Sequence, residues 1–349
     1  MLTPRQYRVA VLGATGAVGR EMLKVLDERR FPASDVIALA SPRSVGEEVQ
    51  WGKRILKVRA AEPAAFDGID IVLASAGAKV ARELLPDAAK RGCLCIDNSS
   101  AFRMSAGVPL VVPEVNPDDL AAHAGIVANP NCSTIQLVVA LKPLHDAAGL
   151  VRVVVSTYQS VSGAGKKGMD ELSEQTIALF NGKPFDVAVH NARIAFNCIP
   201  HIGAFAELGY TEEEWKLVHE SRKILGLPHL RVAPTAVRVP VFAAHSESVA
   251  VEFERALTAD QARDLLADAP GIVVVDEPAR KRYPMPIDAA EQDAVFVGRI
   301  RRDPSVPHGL CLWIVADNLR KGAATNAVQI AQLAVDRGLV HGASSPAQA

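Results

Sequence analysis

The sequence has little from which a disulfide framework could be built. Its 349 residues hold five cysteines, Cys93, Cys95, Cys132, Cys198 and Cys311, odd in number and without a CxxC pair. That usage excludes a stapled secreted scaffold and a thiolate zinc cluster, so no metal is expected and a reducing cytoplasm is the expected compartment. An excess of charge of one sign is missing too. The 38 Lys and Arg against 39 Asp and Glu leave a net charge of −1, which offers no footprint for nucleic acid or an anionic membrane surface. No apolar run approaches the roughly 18 residues that span a bilayer. The first apolar segment is broken by glycine too soon for a signal-peptide core, so none is expected. No internal repeat is evident.

What is present is apolar and globular in character. Hydrophobic residues make up 49% and charged residues 22%, enough for sizeable cores, and the length favours two domains. A short apolar run, Tyr7–Leu12, ends in a glycine turn and feeds a helical pattern over 17–29. Strand-like runs follow at 36–40, 69–75, 93–96, 110–112 and 126–128, with a helix at 78–90. Such alternation predicts a Rossmann-type, doubly wound parallel sheet over residues 1–130. Beyond it, 151–159 reads as a strand, 162–168 as a glycine- and lysine-rich loop, and 169–180 and 211–225 as helices. The alternating stretches 231–242 and 248–254 read as antiparallel strands with one face buried. Residues 131–318 are therefore expected to form an α+β domain with a mixed sheet. A last helix at 319–338 is expected to return to the first domain, and 340–349 to be a disordered tail.

The first strand runs into Gly13-Ala14-Thr15-Gly16-Ala17-Val18-Gly19. This is GxxGxxG and not GxGxxG, but it serves the same physics: a tight turn, close backbone approach and a helix N-terminus facing a pyrophosphate. Where the second strand ends, a NAD site would offer a carboxylate to the ribose. Here the residues are Ser41, Arg43 and Ser44, which suit the 2′-phosphate of NADP.

Cys132 follows Asn129-Pro130-Asn131 and opens a helical run. Helix N-termini favour the thiolate, and their N–H groups could hold an oxyanion on a carbon bound to sulfur. Most lone cysteines are small buried hydrophobes, but the polar neighbours here leave no local apolar pocket, and Ser133 or Thr134 could cap the helix. A thiol reaction needs a proton shuttle. His245 lies between the two alternating stretches, in a loop held by strands, where catalytic groups concentrate. A turn histidine without a role fits that spacing equally well.

Several segments together carry a resemblance. The glycine turn, Asp97-Asn98-Ser99-Ser100-Ala101-Phe102-Arg103, Asn129 to Thr134, and Gln159 to Gly165 are similar to bacterial aspartate-semialdehyde dehydrogenases. So are Glu213 to Lys216, Arg238 to Val241 with His245, and Asp317 to Ala323. The resemblance implies NADPH-dependent reduction of L-4-aspartyl phosphate to L-aspartate 4-semialdehyde and phosphate. Its place would be the biosynthesis of lysine and diaminopimelate, threonine, methionine and isoleucine. It implies Cys132 as nucleophile, His245 as acid/base and Gln159 as the residue that positions the acyl group. Arg238 would take the substrate carboxylate, Glu213 the ammonium, and Arg103 and Lys216 the phosphate. Gly13, Thr15, Gly16, Ala17, Val18, Ser41, Arg43, Ser44, Ser162, Gly163 and Asn318 would line the NADP site, in a homodimer joined through the second domain.

Other readings stand beside this one. N-acetyl-γ-glutamyl-phosphate reductase shares the architecture, but its substrate has no ammonium group for Glu213. A cofactor-free thiol hydrolase or acyltransferase would have no use for the glycine turn. A non-catalytic paralogue should have lost Cys132 or His245.

Overall fold

The computed structural model describes residues 5–340; of the expected tail, 340–349, only Val340 is among them, and it is buried in a core. The chain divides into two compact units. One runs to Pro130 and resumes at Ala323, and the other is Asn131–Gly322.

In the first unit, β1 (Tyr7–Leu12), α1 (Ala17–Glu28) and β2 (Ala33–Ala40) are followed by a hairpin, β3 (Glu48–Trp51) and β4 (Arg54–Lys57). Then come β5 (Arg59–Ala60), β6 (Ile71–Ala74), α2 (Ala78–Lys90), β7 (Leu94–Asp97) and β8 (Ile126–Ala128). Six of these strands form a sheet in the order β5-β2-β1-β6-β7-β8, and every pairing is parallel. Alternation along β1 sends Val9 and Val11 to one core, with Met22, Val328 and Ala331, and Ala10 and Leu12 to another, with Leu84 and Leu85. Both faces are thus covered by helices, as a parallel sheet requires. Chain direction across the sheet reverses at β1, flanked by β2 and β6, and a ligand crevice opens beyond the strand ends at such a point. The run at 110–112 is not a strand; it contributes a single bridge, Leu110 to Ala128.

The second unit begins with α3 (Cys132–Ala148) and β9 (Leu150–Gln159), then α4 (Lys166–Phe180) and α5 (Glu212–Leu225). It continues with β10 (Arg231–Arg238), β11 (His245–Phe253), α6 (Ala259–Ala267), β12 (Ile272–Val274), α7 (Pro286–Ala289), β13 (Val295–Arg302) and β14 (Gly309–Ala316). The sheet is mixed, in the order β10-β9-β11-β14-β13-β12. Helix α3 is buried without a break from Ser133 to Leu141, the signature of an interior helix, and it packs across β11 and β14 with α5 and α6 beside it. Last in the chain, α8 (Thr325–Asp336) adds Ala327, Val328 and Ile330 to the core of the first unit.

Three expectations for the second unit need correction. β10 pairs with β9 in parallel, from Arg231 beside Arg152 to Arg238 beside Gln159; period-two alternation reports a buried face and carries no information on strand direction. Residues 162–168 do not form one loop, because a short 3-10 turn covers Val161–Ala164 and α4 starts at Lys166. His245 is the first residue of β11 and wholly buried, where a loop position was expected.

Candidate active site

In the first unit the glycine turn stands at the reversal point. Gly13 has φ +88°, and a Cβ there would lie 2.5 Å from Ser75 O, so only glycine fits. A Cβ on Gly19 would meet Gly13 O at 2.1 Å. Gly16 caps α1 without any side-chain hydrogen bond, and the first turn has no acidic residue. The N–H groups of that turn are therefore open to an anion, with Thr15, Ala17 and Val18 partly exposed around them. Beyond β2, Ser41 and Arg43 are exposed and Ser44 half-buried on a short 3-10 turn. This cradle fits a dinucleotide pyrophosphate. Arg103 is also in this unit, buried, its Nε donating to Asn129 O at 2.9 Å and its Nη2 to Asn98 O at 2.9 Å.

The second unit gathers Cys132, Gln159, Glu213, Lys216, Arg238 and His245. Cys132 is the first residue of α3, half-buried. The cap is neither Ser133 nor Thr134 but Asn131, whose Oδ1 accepts both of their N–H groups at 3.0 and 3.3 Å. Those two donors are thereby taken from any oxyanion, which corrects the expectation that they would serve one. Asn131 is itself held by two buried acids: Glu220 accepts its backbone N–H at 2.6 Å, and Glu213 accepts its Nδ2 at 2.9 Å. Gly322 approaches so closely that a Cβ on it would be 2.9 Å from Cys132 Cβ.

Glu213 joins these parts. It also accepts from Gln159 Nε2 at 3.1 Å and from Lys216 Nζ at 2.9 Å. Burial opposes its ionisation, but the Lys216 ammonium and the hydrogen bonds from Lys216, Asn131 and Gln159 prevail and hold its carboxyl at about 2. Gln159 is oriented at both ends, because its Oε1 accepts from Thr157 Oγ1 at 3.0 Å. His245 Nδ1 accepts the Ser160 N–H at 3.1 Å, which assigns the proton of the neutral ring to Nε2. That nitrogen lies 3.5 Å from Gln159 Nε2. Burial, reinforced by the Arg238 charge, pulls His245 down to about 3. Burial also lowers Arg238, against the opposing pull of Glu213 and Cys132. Arg238 Nη1 donates to Ser160 O at 2.6 Å.

Ser162, Gly163 and Asn318 lie beside the histidine. Asn318 Oδ1 accepts from Ser160 Oγ at 3.0 Å, Ser162 Oγ at 3.1 Å and Ala244 N at 3.1 Å. A Cβ on Gly163 would be 3.0 Å from Arg238 Nη1 and 3.5 Å from the His245 ring. Asn131, Ser160 and Glu220 belong to this arrangement and were not singled out by the sequence. The preference for Asn at helix N-caps could have found the first; the others depend on pairings distant in sequence.

Comparison with known proteins places the chain in a family. Residues 8–123 match the family profile "Semialdehyde dehydrogenase, NAD binding domain", and 141–321 match "Semialdehyde dehydrogenase, dimerisation domain". Aspartate-semialdehyde dehydrogenase of Aquifex aeolicus (strain VF5) is 53% identical over 96% of this chain and 99% of its own length. The chain belongs to the aspartate-semialdehyde dehydrogenase family. Among solved structures, aspartate semialdehyde dehydrogenase II of Vibrio cholerae complexed with ASA superposes with a TM-score of 0.93 at 48% identity, covering 95% of this chain and 99% of that one. The Candida albicans enzyme with NADP gives 0.76 at 25% identity, over 96% and 100%. As a member of the aspartate-semialdehyde dehydrogenase family this chain is an oxidoreductase of amino-acid biosynthesis, with a NAD(P)-binding domain and a dimerisation domain. No helix among the described residues is long and apolar enough to cross a membrane.

Proposed function

We propose that the chain reduces L-4-aspartyl phosphate to L-aspartate 4-semialdehyde through a thioester on Cys132. The observation that carries this reading is the arrangement in the second unit: Asn131 caps the cysteine's helix, Glu213 is hydrogen-bonded to both Asn131 and Gln159, and His245 Nε2 lies 3.5 Å from Gln159 Nε2. The Cys132 thiolate attacks the acyl carbon and phosphate departs, its charge met by Lys216. Held by the glycine turn with Ser41, Arg43 and Ser44, NADPH would supply the hydride for reduction of the thioester. As the carbonyl oxygen gains charge, His245 Nε2–H shares its proton with it through a strengthening hydrogen bond. The proton stays on the imidazole when the C–S bond breaks to give aldehyde and thiolate, so the site ends as it began. Arg238 has Nε and Nη2 engaged by no group among the described residues, and it takes the substrate carboxylate in a two-point bond. Glu213, ionised at every physiological pH, takes the ammonium.

NADP is the proposed coenzyme over NAD because Ser41, Arg43 and Ser44 follow β2 where a ribose-binding carboxylate would otherwise stand. A homodimer is proposed through the second unit, where Phe180, Phe196, Phe205 and Leu208 are exposed. Sedimentation at micromolar concentration should give twice the chain mass, and a monomer there would refute it. The activity is tested by NADPH formation from L-aspartate semialdehyde and phosphate. No turnover, together with turnover of N-acetylglutamate semialdehyde, would overturn the assignment.

A further inference from the structure

Two residues along β11 from His245, the same strand face carries Glu247. It has no solvent exposure, and neither carboxyl oxygen has a hydrogen bond. Its partners across the sheet are Thr157 on β9 and Ile314 on β14, so no cation flanks it there. Thr157 is already engaged with Gln159. On α3, which packs over β11, Gln136 stands one helical turn beyond Cys132. Gln136 is 1% exposed, and its Nε2 likewise has no hydrogen bond. The Gln136 side chain is the one group that draws the Glu247 carboxyl down, and burial overrides it, pushing Glu247 well above the usual carboxylate range.

We propose that Glu247 and Gln136 form a positioning pair that ties the strand presenting His245 to the helix presenting Cys132. An ionised carboxylate in this place, without a cation or a well-formed donor, would be strongly disfavoured, so the group acts as a neutral acid. A neutral acid and a primary amide are complementary at two points: the acid O–H donates to Gln136 Oε1, and Gln136 Nε2–H donates to the acid carbonyl. A carboxylate could use only the second of these bonds. With both bonds made, the pair stands two residues along β11 from His245 and one helical turn along α3 from Cys132. Neither member touches substrate; each acts through the residue above it. The proposal rests on the roles given to Cys132 and His245.

The test is steady-state kinetics on the full-length enzyme with coenzyme, alongside coenzyme binding and thermal unfolding. Glu247→Leu keeps the bulk and loses both hydrogen bonds. It should lower kcat about 10- to 100-fold, the scale of a small misplacement of reacting groups, with KM and coenzyme binding little changed. Glu247→Gln restores a two-point amide pair and should keep kcat within about threefold, since charge is not what the site uses. If Glu247→Leu does not fold, Gln136→Leu should give the same fall in kcat, and the exchange Gln136→Glu with Glu247→Gln should recover it. Wild-type kcat in Glu247→Leu or Gln136→Leu would overturn the proposal, as would Glu247→Gln proving as damaged as Glu247→Leu. A wrong substrate assignment shows itself separately, as absence of turnover by the unmodified enzyme.

Discussion

Cys95 and Cys132 are the same side chain in opposite circumstances. Cys95 lies within β7, with no exposure and apolar residues around it. Burial pushes its pKa well above the ordinary thiol range, and that of its neighbour Cys93 up to about 12. Cys93 spends its S–H on Ile69 O, at 3.1 Å. Cys132 is half-buried at the first residue of α3, below a polar cap and beside a guanidinium that responds to its charge. The first two are packing material. The third stands at a helix terminus whose cap, Asn131, is fixed by two buried acids, and that setting supports the nucleophilic role proposed for it.

This contrast can be attacked at several levels. Replacing Cys132 by Ala should lower turnover roughly 10⁴-fold or more while coenzyme binding persists, because the thioester route is lost. His245→Asn should lower kcat about 10²–10⁴-fold, the span of lost acid–base catalysis; a change in KM alone would contradict its role. Glu213→Gln removes the charge meant for the ammonium and loosens the hold on Asn131. KM should rise roughly 10- to 100-fold, as expected for loss of a charge-assisted bond. Cys95→Ala should leave kcat unchanged and cost about 1 kcal/mol of stability, a small core deletion. Alkylation by iodoacetamide at neutral pH should mark Cys132 and the exposed Cys198 while Cys93 and Cys95 remain unmodified, as read by peptide mass spectrometry.

The buried ionisable groups also set a pH dependence. His245 is held at about 3 in the folded chain against 6.5 unfolded, so below 6.5 the unfolded chain binds a proton that the native one refuses. Stability therefore falls as pH drops from about 6.5 toward 3. Glu213, held at about 2 against 4.5, adds a loss that begins near 4.5 and continues to about 2. Each group contributes a slope of at most about 1.4 kcal/mol per pH unit. Denaturant unfolding across this range should show His245→Asn less sensitive to acid between 6.5 and 4.5 than the unmodified chain.

The sequence made the first unit readable because its signals are local. The apolar run at Tyr7–Leu12, the glycines after it and the helix that follows are all contiguous, and the structure places them as expected. Cys132 at a helix start was legible for the same reason. The second unit was harder. A buried face shows in the alternation of β10, but its parallel pairing with β9 is fixed only by the register of two distant segments. His245 read as a loop residue because Ser246 and Glu247 are polar; both are nonetheless buried in the sheet. Ser160, which sets the tautomer of His245, meets it only because β9 and β11 are neighbours. Contacts of that kind leave no local pattern to read.

The most direct test of the account is intact and peptide mass spectrometry of the enzyme after incubation with L-aspartate semialdehyde and NADP+ without phosphate. Deprived of the group that would release it, the acyl enzyme should accumulate as an aspartyl adduct on the Cys132 peptide and disappear when phosphate is added. NADPH formation with no adduct on Cys132, or an adduct carried by another residue, would contradict the account.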